Sequence, residues 1–99
     1  MEIKINNKEY EVPQLGFKDM VKMEDMGFSI IDLFQNQKVF SVAAAYVGIC
    51  ADCKREEAER LIEQHILGGG SLDSIYESFT QAVDRSGFFK KLLGRDQKE

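Results

Sequence analysis

Apolar and polar side chains alternate at the start of the chain and then change period. In "MEIKINNKEYEV", Ile3, Ile5, Tyr10 and Val12 stand two apart on either side of Asn6-Asn7-Lys8. Alternation turns one face of an extended segment toward a core. Asn tolerates the positive φ that tight hairpin turns require. The pattern predicts a β-hairpin within residues 1–13, with strands over 2–5 and 9–13 and Pro13 closing the second. A hairpin is marginal by itself in water, so this one needs helices to pack on.

From Phe17 onward the spacing becomes helical. A first helix is expected over 17–26, stopped by Gly27. Ser29 is placed to cap a short segment whose Ile30, Leu33 and Phe34 share a face, with Asp32 arranged like a weak capping box. "QNQK" reads as a bend. The run "VFSVAAAYVGICA" is apolar nearly all round, which predicts a central helix buried on several sides. Its Ala43, Ala44, Ala45 and Gly48 leave room for neighbouring helices. In "KREEAERLIEQHI", Ala58, Leu61, Ile62, His65 and Ile66 recur at helical spacing, opposite Glu56, Glu59, Arg60 and Glu63. Gly68-Gly69-Gly70 stops that helix. Ser71 caps the next, striped by Leu72, Ile75, Tyr76, Phe79, Ala82 and Val83. Gly87 interrupts it and "FFKKLL" adds a final helical turn. The expected fold is mainly α: a compact helical domain of four to five helices with a short N-terminal β-hairpin. It occupies residues 1–94, and 95–99 are expected to form a flexible C-terminal tail.

Composition narrows the class. The 99 residues, 43% hydrophobic with one proline, suit one folded domain. Thirteen basic against seventeen acidic side chains give a net charge of −4. That balance disfavours nucleic acid and anionic membranes, which are bound through clustered Lys and Arg. No hydrophobic run opens the chain, so no signal peptide is expected. The uncharged stretch from Val39 to Ala51 falls short of the roughly 20 residues of a membrane span. A cytoplasmic location follows as the expectation.

Candidate chemistry is sparse. Cys50 and Cys53 form a Cys-x-x-Cys pair, but a structural zinc site needs four ligands, and the chain adds only His65 as a further His or Cys. A redox dithiol belongs where a strand enters a helix in a βαβ unit; here the pair joins two helices. The expectation is that Cys50 packs near Ile49, that Cys53 lies in the joint, and that Asp52 caps the following helix. His65 on an apolar stripe reads as a partly buried packing residue with one hydrogen bond. "GGG" lacks the Gly-Lys-Ser/Thr of a phosphate loop, and Glu59 with Glu63 reads as a solvated face. No catalytic residue, metal or cofactor is expected, so the protein is read as non-enzymatic. Met20, Met23 and Met26 recur every three residues and suit either a core or an adaptable binding surface. Phe88, Phe89, Leu92 and Leu93 cluster around two lysines and either dock on the domain or form a protein-binding patch. These seven are the candidate partner-binding residues.

The layout as a whole, with its opening hairpin, "GFKDMVKMEDMG", the Ala-rich helix, "REEAERLIEQHILGGGSLDSIYESFTQAV" and "SGFFKKL", resembles a known family. It is similar to the small tail assembly chaperones of long-tailed bacteriophages and prophages of Gram-positive hosts. The resemblance covers nearly the full chain and rests on element order and short signatures, so no ligand or catalyst carries over. It implies a non-enzymatic protein of the bacterial host cytoplasm, missing from the finished virion. Such a protein keeps the hydrophobic tape measure protein soluble and helps tail tube subunits assemble around it. Homo-oligomers along the client and a longer frameshifted form, made at codons such as those of Phe88-Phe89-Lys90-Lys91, belong to the same expectation. The rival reading is a small acidic regulatory or transcription-related helical domain. That would call for a basic recognition helix, and the segment after Lys54 carries more acid than base.

Overall fold

The computed structural model describes residues 1–94; the tail expected at 95–99 lies outside the described residues. Strands β1 (Glu2–Ile5) and β2 (Lys8–Glu11) pair antiparallel, Ile3 facing Tyr10 and Ile5 facing Lys8. Asn6 and Asn7 both take positive φ, 52° and 67°, as a two-residue type I′ turn demands. That short turn draws Lys8 into the ladder. The second strand therefore runs 8–11 rather than 9–13, and the Val12 N–H reaches back to the Met1 carbonyl at 2.9 Å. Ile3 and Ile5 point inward as the alternation predicted.

Six helices follow among the described residues: α1 (Phe17–Asp25), α2 (Ile30–Gln35), α3 (Val39–Ala51), α4 (Arg55–Leu67), α5 (Leu72–Asp84) and α6 (Gly87–Leu92). The protein is mainly α-helical with an N-terminal hairpin, as expected. The sixth helix arises because Ser86 starts a helix of its own where only a last turn was anticipated. Its hydroxyl accepts from the Phe89 N–H at 3.1 Å and donates to the Leu15 carbonyl at 2.8 Å. One side chain thus caps α6 and ties it to the segment before α1.

Helix α3 is the centre, packed against α1, α2, α4, α5 and β2. Every residue from Val42 to Ile49 is buried. Tyr46, fully enclosed, meets the Phe79 ring edge-on at 5.4 Å and shares a 2.7 Å hydrogen bond with Ser78 Oγ. Burial of side chains such as Phe79 and Phe89 contributes about 2–3 kcal/mol each.

Four helices end alike. After α1, α2, α3 and α4, a single residue turns left-handed: Gly27, Gln37, Asp52 and Gly69. In each case the next N–H bonds a carbonyl five residues back, as Phe28 does to Met23 at 2.9 Å. Asp52 therefore terminates α3 and does not cap α4, correcting the expectation. Lys54 holds the cap position without a side-chain bond. Ser29 likewise makes no side-chain cap, whereas Ser71 Oγ accepts from Ser74 N–H as anticipated.

Candidate functional site

The seven candidate residues divide sharply. Met20 and Met23 face inward from α1 and are buried in the core, and Phe89 is fully enclosed. Met26 is half-buried, its thioether lying against Gly48, where an added Cβ would stand 2.1 Å from the methyl carbon. Leu93 is partly buried against the core. Only Phe88 and Leu92 present substantial surface. The methionine repeat is thus mainly packing, set by the face α1 turns to α3.

Phe88 and Leu92, one turn apart on α6, join a residue the sequence reading did not single out. Phe17, at the start of α1, is 66% exposed and meets Phe88 edge-on, 5.7 Å between centroids at 87°. A second apolar surface lies between α3 and α4. These helices run antiparallel across the Asp52–Lys54 joint, so the start of α3 meets the end of α4. There Phe40, Ser41 and Ala44 face Ile62 and Ile66 across a groove of about 320 Å³, with Glu59 and Glu63 along one edge. Phe40 is 71% exposed, Ile66 is also exposed, and Leu67 beside it is 78% exposed. Ile66 was expected on the buried stripe with Ala58, Ile62 and His65. It lies at the stripe's margin, on the wall of the groove, 42% exposed. Leu67 carried a usable signal: it stands at helical spacing from Arg60 and Glu63, a solvent-facing row.

His65 makes two contacts rather than the single one expected. Its Nδ1 accepts from the Asn6 N–H at 2.9 Å, and Nε2 lies 3.2 Å from the Ser71 carbonyl. The first contact fixes Nδ1 as the bare nitrogen and Nε2 as the donor. The ring therefore clamps the hairpin turn to the start of α5, beside a polar cleft of about 470 Å³ that Gly68 to Gly70 help to line. No buried side-chain N or O among the described residues lacks a partner.

Cys50 and Cys53 are free thiols. Burial pushes Cys50 up to about 11 and outweighs the lowering contact from Tyr46. Cys53 is raised as well, by burial and then by Glu57 and Asp52. Reactive thiols need the opposite shift. Asp52 is lowered by a hydrogen bond from Lys22, so that pair ties α1 to the joint. Arg55 closes the same corner, its guanidinium 4.5 Å from the Phe28 ring centroid and its Nε 3.1 Å from Glu59. Among the described residues, no three His, Cys, Asp or Glu side chains gather to hold a metal ion. No helix among them is long and apolar enough to cross a membrane.

No family model matches the chain, and no curated protein or solved structure matches it either.

Proposed function

We propose that this protein is a non-enzymatic tail assembly chaperone of a long-tailed phage or prophage, working in the bacterial cytoplasm. It binds the tape measure protein, keeps it soluble, recruits tail tube subunits, and is left out of the finished virion. The observation that carries this reading is the Phe40–Ile66 groove, with large apolar side chains open to solvent between two packed helices. Exposed apolar surface of this kind marks contact with another chain, and an apolar helical client offers its complement. The net charge of −4 supports the solubilising role. The Phe17–Phe88 pair, with the exposed Leu92 one turn further along α6, provides a second contact, which lets one small domain bridge client and tube subunit.

Co-expression with a fragment of a cognate tape measure protein tests the proposal. The fragment should stay soluble and co-purify with the wild-type protein, and should pellet when Phe40→Asp replaces it. Phe40 is so exposed that this change leaves the core untouched. A fragment that pellets equally with and without the wild-type protein rules the function out.

A further inference from the structure

The edge of the α3–α4 groove carries information about its occupant. Its floor is Ala44 and Ile62, both buried, and its walls are the exposed Phe40 and Ile66. On α4 the lining runs Glu59, Ile62, Glu63 and Ile66, which is i, i+3, i+4 and i+7, about two turns or roughly 11 Å. Helix-in-groove recognition uses that same repeat on the incoming helix. Small residues at Ser41 and Ala44 let a backbone approach closely. The acidic edge then sets the sign. Glu59 already shares its carboxylate with Arg55 at 3.1 Å. Glu63, one turn on, has no ion-pair partner among the described residues.

We propose that this groove takes an amphipathic helix of another protein that carries Lys or Arg beside its apolar stripe. The inference rests on the client-binding reading and adds the chemistry by which the client is chosen. A second copy docking through the same groove would set Glu59 and Glu63 against their own counterparts, with a charge of −4 on each chain. Like charges across an interface disfavour that pairing. A basic flank supplies Glu63 with its partner, and edge charges act chiefly on encounter rate and on rejection of wrong partners.

The test uses two labelled synthetic helical peptides with the same leucine stripe, one flanked by lysines and the other by glutamates. Fluorescence anisotropy should show the lysine peptide binding at least about tenfold tighter. Phe40→Ala should weaken it by about tenfold, as loss of an aromatic anchor does. Glu63→Lys should reverse the preference between the peptides. Both positions are exposed, and an unchanged circular dichroism spectrum confirms that the variants fold. Equal affinity for the two peptides, or indifference to Glu63→Lys, overturns the proposal. So does self-association in sedimentation that Glu63→Lys alters while neither peptide binds, which would seat a second copy in the groove. Failure of tape measure co-purification with the peptide preference intact would remove the proposed client and leave the groove's chemistry standing.

Discussion

The three consecutive glycines at 68–70 are not interchangeable. Gly69 has a φ of +102°, so it ends α4 by a backbone conformation that side chains resist. Gly70 has no such conformation, but an added Cβ would lie 2.3 Å from His65 Nε2 and 2.4 Å from Cε1. The imidazole cannot swing aside freely, because its two nitrogens contact the hairpin turn and Ser71. Gly70→Ala should therefore destabilise the fold by about 1–3 kcal/mol, the range for overpacking. In a His65→Ala background the same change should cost almost nothing. Urea denaturation of the four proteins measures the coupling; additive losses would show that the ring is not the obstacle. The helix stop was legible from "GGG", but the second reason for glycine was not. It depends on His65 being drawn over the loop by Asn6, some sixty residues away in sequence. The candidate surface was hidden in the same way. The sequence marked Met20 and Met23 by spacing alone, and only the packing of α1 on α3 shows that they are core. Phe40 belongs to a helix that is apolar nearly all round, but its side chain stands exposed on the wall of the groove.

Periodicity located α1, α3, α4 and α5 because their apolar stripes are long or their stops are glycines. The hairpin and the short α2 rest on alternation and on the shared face of Ile30, Leu33 and Phe34. Periodicity placed the breaks after α2 and α3 but not their mechanism, because there a residue with a side chain takes the glycine's place. Gln37 has a φ of 55° and Asp52 of 54°, each doing at the end of a helix what Gly27 and Gly69 do elsewhere. "QNQK" was therefore only a bend on paper, and Asp52 looked like the start of α4 rather than the end of α3. A side chain held left-handed costs about 1–2 kcal/mol relative to an ordinary conformation, and glycine removes most of that cost. Gln37 is exposed, and its replacement sacrifices no packing. Gln37→Gly should accordingly stabilise the protein by about 1 kcal/mol in thermal or urea unfolding. Asp52→Gly should gain less, since it also discards the contact with Lys22. A loss of stability in Gln37→Gly would mean that flexibility gained by the unfolded chain outweighs the relieved strain.

The core as a whole sets how the molecule responds to alkali. Two protonated groups, Cys50 and Tyr46, sit along one face of α3 a single turn apart. Burial raises both, Cys50 to about 11 and Tyr46 still further. In the unfolded chain a thiol ionises near pH 8.5 and a phenol near pH 10, each at about its ordinary value. Between those values and the raised ones, the unfolded state has lost protons that the folded state keeps. Stability is then fully present below about pH 8.5 and declines as the pH rises toward the folded-state values, because the folded chain binds more protons. Cys50 alone should account for a loss of about 3 kcal/mol by about pH 11. Cys53, more exposed, shifts in the same direction and adds less. Rising negative charge also strains an acidic molecule at high pH, so the wild-type curve alone does not isolate the thiol. Cys50→Ala does. Its unfolding free energy should start below the wild type near neutrality, since a partly buried side chain has been trimmed. The two curves should then converge as the pH rises. Parallel curves would mean that Cys50 is wetter than its place beside Tyr46 and Ile49 implies.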